Sequence, residues 1–534
     1  MHKKIGSFLA LLLVLVMLAG CAAPLDREVI DRNRGAVDYA DMEYKRPQMD
    51  QLEKKLEECC QIARTETNIH KVMDAVYEYY DAYDWYFTHY NLAYIRYHGD
   101  LTDEYWANEY SICDQNSDAL DAGLDTLYRA LAQSPIRDKL EGEGYFGPGF
   151  FDAYEGESIW DQQFLDYMEA ESALISRYYE LSAQTLDMEH GTTEYYDTWA
   201  DDLGGIYVDL VALRQEIAAY AGYDSYPQFA YDFYFYREFT AEQTADYLPR
   251  LREALVPLYR QMARSDVWDV GMKACDSKEM FRFVQDMAAK MGGLINGAFL
   301  LMDGAELYDI ADSPNKYDTA FSLYLTGYYE PFLFMKPAGN QWDKLTLAHE
   351  FGHFTHDYVC WGTYAGTDVA EVLSQGMEYL ALCYGKDTEE LTRMKLLDCL
   401  CVYVEQAAYA DFEHQVYGLT GEELTVENVT ALFERVSASY GFDEWGWDVR
   451  AWVEVPHFYV QPMYIISYVV SNDAAFQLYQ RELAESGSGL AAYKECLYAE
   501  DTLFLAFLER MGLEDPFDDH RLDTVRRTLE NALK

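Results

Sequence analysis

His349 and His353 stand four residues apart, with Glu350 beside the first, in the run Leu347-Ala348-His349-Glu350-Phe351-Gly352-His353. Positions four apart share one face of a helix, and the preceding Leu345-Thr346-Leu347-Ala348 continues an apolar helical face. The two imidazoles then point the same way and can hold one zinc ion, with Glu350 placed to reach a water on it without being a ligand. Such equipment is that of a hydrolase. The chain has only 11 His, and three of them, His349, His353 and His356, fall in this one short run. A core helix rarely carries so many imidazoles, because each needs a hydrogen-bond partner when buried. A third ligand as close as His356 would be awkward on one helix, so His356 reads as a supporting or packing residue.

A catalytic zinc site usually has three protein ligands and leaves the fourth position to water. The next candidates lie in 368–380, which also has helical periodicity. Glu371 and Glu378 are seven apart and lie on roughly one face. Either could be the third ligand, with the other orienting a histidine; spacing alone does not choose between them. A second constellation follows at 455–468, with His457, Tyr459, Tyr464 and Tyr468. Amide hydrolysis passes through a tetrahedral oxyanion, and imidazole N–H and phenol O–H groups are suitable donors to it. Tyr464 and Tyr468 are expected to share a helix face. Taken alone, such a tyrosine cluster is more commonly core packing.

The elements that must position these groups read as helical almost throughout, for example at 72–86, 172–183, 207–220, 241–264 and 474–484, with only 13 Pro to interrupt them. The glycine-rich stretch 142–149 reads as a loop. One short apolar run bounded by Pro331 and Pro337, at 328–336, predicts a strand. That strand could offer an edge to an extended peptide, or it could be a buried core strand.

Net charge is −52 and the pI near 4.3. Nucleic acid is thereby excluded as a partner, since phosphate binding needs clustered Lys and Arg. A uniformly solvated acidic surface is the plain consequence. Half of the chain is hydrophobic, enough for a large core, and 48 Tyr supply side chains with an apolar body and a polar tip. Most pack helices, and some suit a wet, peptide-binding channel.

The N-terminus reads as a targeting segment. Lys3-Lys4 make its charged start, and the apolar stretch 8–18 is too short for a comfortable membrane span. It ends in Leu18-Ala19-Gly20-Cys21, which resembles the lipobox of bacterial lipoproteins. The resemblance implies cleavage before Cys21, lipid on that residue, and an extracytoplasmic protein anchored to a bacterial membrane. Residues 22–47 read as a polar tether. Nine further Cys remain, an odd number that cannot all pair within one chain; most read as buried apolar residues.

Four segments together resemble the oligoendopeptidase F and thimet oligopeptidase family of zinc metallopeptidases, and look closer to the bacterial oligoendopeptidase F branch. They are Arg214-Gln215-Glu216-Ile217-Ala218 with Gly222-Tyr223-Asp224-Ser225-Tyr226; Pro331 to Met335 leading into the His349 to His356 element; Ala370-Glu371-Val372-Leu373-Ser374-Gln375; and Pro456-His457-Phe458-Tyr459 through Tyr464 and Tyr468. The N-terminal third matches only in being helical. The resemblance implies an all-α bowl around a deep substrate channel, with one small β-sheet beside the zinc-binding helix. It implies one zinc held by His349, His353 and Glu371, with Glu350 as the water-activating base and His457 with Tyr464 or Tyr468 stabilising the transition state. The implied division is a signal at 1–20, the lipidated Cys21 and tether to 47, an N-terminal helical lobe at 48–194 and a catalytic domain at 195–534. The implied activity is endopeptidase action on short peptides. A zinc carboxypeptidase of another all-helical H-E-x-x-H type, and a lipid-anchored peptide-binding protein without catalysis, are the alternative readings.

Overall fold

The computed structural model describes residues 34–533 except 143, 157, 186, 187, 263, 264, 266, 363, 364 and 499–502. The expected signal segment and Cys21 lie outside these. Among the described residues the chain is all-α with one small three-stranded sheet. Three of its long helices begin where a polar side chain satisfies a free backbone N–H of the first turn. Asn68 accepts from His70 at the head of Ile69–Gly99, Asp161 from Phe164 at the head of Gln162–Ala183, and Thr192 from Tyr195 at the head of Thr193–Tyr220. The sequence reading starts these helices late, at 72, 172 and 207, and stops the first at 86 where it runs to Gly99, while the ends at Ala183 and Tyr220 agree.

Buried side chains form two clusters. The first runs from Leu52 to Tyr154. The second gathers Met42, Leu92, Ile95 and then Phe164 onward. The helix Ile69–Gly99 contributes to both, with Val72, Val76 and Tyr80 in one and Leu92 and Ile95 in the other.

The sheet contains β1 (Tyr308–Asp309), β2 (Ala320–Leu325) and β3 (Glu330–Met335) in the order β1-β3-β2. β3 pairs parallel with β1 and antiparallel with β2, in the register Ala320↔Met335 to Leu325↔Glu330. Pro331 is tolerated in this central strand for a local reason. Leu333 N–H faces β1 and donates to Leu307, so Pro331 faces the same side, where β1 pairs only Leu333 and Phe334. The expected strand thus exists, but it is central and buried along its whole length. Of the two readings left open for it, the buried core strand holds, and the edge of the sheet on the β2 side is a strand the sequence reading did not find.

The described part of the expected tether is docked rather than free. Arg34 donates to the carbonyl of Tyr358 at 2.7 Å and lies 3.7 Å over the Trp361 ring, while Tyr39 N–H donates to Ala305 and Met42 accepts from Arg96. Eight of the nine described Cys are buried, Cys383 alone being exposed. Among the described residues no helix is long and apolar enough to cross a membrane.

Candidate metal centre

Three helices build the site: the histidine helix Asp343–Cys360, the carboxylate helix Thr367–Tyr384 packed on it, and Ile466–Ala484 packed on the second. The first two approach closely because residue 352 is glycine. A β-carbon there would stand 2.7 Å from the Cα of Ser374 and 2.8 Å from the Leu373 carbonyl oxygen. This close approach carries Glu371 across to the two histidines.

One imidazole nitrogen from each of His349 and His353 and one carboxylate oxygen of Glu371 lie within 4.8 Å of one another. His349 Nε2 is 3.5 Å from Glu371 Oε2, and His353 Nε2 is 3.9 Å from Glu371 Oε1. Glu378 is not part of this triad. Its Oε1 sits 2.8 Å from His349 Nδ1, on the far side of the ring, and its Oε2 is 2.6 Å from Lys395 Nζ. Lys395, 2 % exposed, also holds Asp398 at 2.8 Å. With Nδ1 so engaged, His349 is oriented so that its Nε2 is the nitrogen on the Glu371 side. Sequence reasoning missed Lys395, whose charge in a helix gives no local sign of burial.

Glu371 is 4 % exposed and receives a hydrogen bond on each oxygen, from Tyr464 Oη at 2.6 Å and from Ser374 Oγ at 3.2 Å. Glu350 is 6 % exposed, and its Oε2 has no hydrogen-bond partner. His457 Nε2 lies 3.2 Å from Tyr468 Oη. The rings of His457, Tyr464 and Tyr468 form a triangle with centroids 5.2 to 5.6 Å apart. Tyr464 precedes the helix that starts at Ile466, so it does not share a helix face with Tyr468 as expected; the turn brings the rings together instead. His356 is buried and lines the same cavity.

That cavity has a volume of about 770 Å³. His349, Glu350, His353 and Glu371 line it together with Thr319, residues of β2, and His457, Tyr464 and Tyr468. Among the described residues lining it, none is Lys or Arg.

Electrostatics follow from burial and neighbours. Burial works to lower the His349 pKa, but the hydrogen bond to Glu378 and the charges of Glu371, Glu378 and Glu350 outweigh it and raise the value to about 9. Burial pushes Glu350 up to about 7 against the pull of His349, and raises Glu371 as well. Glu378 stays below its ordinary value because Lys395 and His349 overcome its burial. Burial lowers His457 to about 4, so it is neutral at ordinary pH.

Two imidazoles and a carboxylate around an open side are a donor set suited to zinc. The unpartnered buried oxygen of Glu350 beside them has no protein group to satisfy it, which is costly unless a ligand or water does so. The residues present therefore fit a metal ion.

Residues 39–158 match the family model for the peptidase M3 N-terminal domain, so the likeness reaches the region that the sequence reading found merely helical. The oligopeptidase PepF of Bacillus subtilis is 27% identical over 239 residues, which are 41% of this chain and 35% of that protein. The matched stretch thus spans about a third of the relative's length. Among solved structures, PZ peptidase A with an inhibitor superposes with a TM-score of 0.81 at 20% identity, covering 92% of this chain and 98% of that one. Oligoendopeptidase F from Enterococcus faecium superposes at 0.58 and 14% identity, covering 91% and 97%. At such identities the structural likeness is one of fold. Family model, sequence and fold agree in their likeness to one group, the M3 peptidases and oligoendopeptidase F among them.

Proposed function

We propose that this chain is a zinc-dependent endopeptidase acting on short peptides. The observation that carries the reading is the meeting of His349, His353 and Glu371 with the unpartnered Glu350 oxygen in the lining of one cavity. His349, His353 and Glu371 would hold the ion, with Glu378 fixing His349 through its Nδ1. Bound there, zinc supplies Lewis acidity toward a water and the scissile carbonyl. Glu350 takes the proton of the attacking water and returns it to the leaving amine. His457 and Tyr468 donate to the developing oxyanion. The choice of Tyr468 over Tyr464 is supported by the 2.6 Å bond that commits Tyr464 to Glu371.

Internal cleavage is favoured over carboxypeptidase action by the wall chemistry. Arg is the strong, bidentate partner for a free C-terminal carboxylate, and the described lining offers neither Arg nor Lys. The catalytic groups all fall in the proposed 195–534 domain. Location is part of the same proposal: lipid on Cys21 would hold the enzyme at the outer side of a bacterial membrane, where peptides are scavenged. Labelling with radioactive palmitate should mark the full-length protein and spare Cys21→Ser; an unlabelled wild type removes the anchor.

The test of the activity is Glu350→Gln. It should retain zinc and lose hydrolysis of a peptide blocked at both ends. Undiminished cleavage by this variant refutes Glu350 as the base.

A further inference from the structure

His457 and Tyr464 ride on a segment with little regular structure of its own, which leads into Tyr468 in the first turn of the helix Ile466–Ala484. Pro456–Val460 is a single short helical turn, and the chain then bends through Met463, whose φ of 65° is left-handed. Its backbone carbonyls at 458, 459 and 463 are satisfied from outside, by two buried guanidinium groups. Arg214, 0 % exposed, donates through Nη1 to the Phe458 carbonyl at 2.8 Å and through Nη2 to that of Tyr459, while its Nε binds Glu171 at 2.6 Å. Arg237 donates through Nη1 to the Met463 carbonyl at 2.8 Å and through Nη2 to Ser467 Oγ at 2.7 Å. It also grips both oxygens of Asp368, at 3.1 and 3.3 Å. Between the two anchors, Met463 N–H donates to Glu413 Oε1 at 2.8 Å.

Asp368 stands three residues before Glu371, in the first turn of the carboxylate helix. Arg237 therefore ties the element bearing a proposed metal ligand to the element bearing the proposed oxyanion donors. Arg214 ties the His457 turn to the helices Gln162–Ala183 and Thr193–Tyr220. Buried ion pairs are weak sources of stability, since apolar residues of like volume often serve as well, and their best-attested use is to fix one arrangement. A guanidinium suits this use because its planar fork serves two carbonyls and a carboxylate at once, whereas an ammonium is a single point.

We propose that Arg214 and Arg237 are positioning residues that hold the segment from His457 to Tyr468 in register with the catalytic groups, so that its donors are set before substrate arrives. The inference rests on the peptidase reading for its effect on rate, though not for its effect on the segment.

The test uses the full-length zinc-loaded protein and the variants Arg214→Lys, Arg237→Lys and Ser467→Ala. Each is measured for kcat and KM on a doubly blocked nonapeptide, for zinc content, and, in metal-free form, for amide hydrogen exchange by mass spectrometry. Misplacement of reacting groups by about an ångström costs roughly 100-fold in rate. The lysine variants should lose about that much kcat with KM within about threefold of wild type and zinc content unchanged. Exchange should rise in 456–468 and stay the same in the histidine helix. Ser467→Ala, which removes one arm of the Arg237 network, should shift both in the same direction by less, and it decides the matter if the lysine variants do not fold. Unchanged kcat, loss of zinc, or unchanged exchange in 456–468 overturns the proposal. A wild type that cleaves no peptide defeats the peptidase reading instead, and exchange alone then decides whether the arginines hold the segment.

Discussion

Gly352 and Ser374 meet backbone to backbone: a β-carbon at 352 would come within 2.7 Å of the Ser374 Cα. The contact is between two helix backbones, so no side-chain rotation relieves it. Gly352→Ala is expected to push the histidine and carboxylate helices apart. Overpacking of this kind costs about 1–3 kcal/mol, and here it also moves Glu371 away from both imidazoles. A thermal melt should show the lower stability, and zinc titration against a competing chelator should show weaker binding. Wild-type zinc affinity in this variant would mean that the helix spacing does not set the ligand geometry.

Glu371 and Glu378 should separate cleanly by zinc affinity. Glu371→Ala removes a proposed ligand and should leave no tight zinc. Glu378→Gln removes only the group that orients His349, and losses of that class are about 10- to 100-fold. Lys395→Met should resemble Glu378→Gln, because it strips Glu378 of its counter-charge at 2.6 Å. Equal zinc retention by the Glu371 and Glu378 variants would remove the assignment of ligand and support.

Tyr464→Phe and Tyr468→Phe should fail in different ways. Loss of one oxyanion donor costs about 100- to 1000-fold in kcat, and this is the expected fate of Tyr468→Phe, with zinc retained. Tyr464→Phe frees Glu371 Oε1 from its hydrogen bond and should weaken zinc binding more than it slows the loaded enzyme. The reverse pattern would exchange the two roles.

The meeting of His349, Glu350 and His353 was legible in the sequence because helical periodicity alone brings them to one place. Spacing does not choose between Glu371 and Glu378, a choice that only the family resemblance makes; packing sets Glu371 near both imidazoles and Glu378 behind His349. The Tyr464 ring was misplaced onto a helix because Pro462 and the left-handed Met463 delay the helix start to Ile466. β2 is not found by the sequence reading, and of the two readings left open for β3, edge or buried core strand, its six buried residues select the second. Lys395, Arg214 and Arg237 act through long-range bonds that leave no periodic trace, even where Arg214 sits in a motif the sequence reading singled out.

Acid should destabilise the fold through its buried histidines. His98 is 4 % exposed and burial lowers its pKa from 6.5 to about 4, partly opposed by its hydrogen bond to the Tyr94 carbonyl. The unfolded chain therefore binds the extra proton first, and stability falls as pH drops from 6.5 toward 4, flattening below that. For a shift of this size the loss is about 3 kcal/mol. Melting temperatures measured across that range should fall less steeply in His98→Asn than in wild type. Parallel profiles would show that His98 does not stay neutral in the fold.

The central claim is most directly tested by the rate at which the purified protein cleaves an internal bond of a doubly blocked peptide before chelation, after chelation, and after one equivalent of zinc per chain is returned. The account predicts cleavage, then none, then recovery. Cleavage that persists in demonstrably metal-free protein would contradict it.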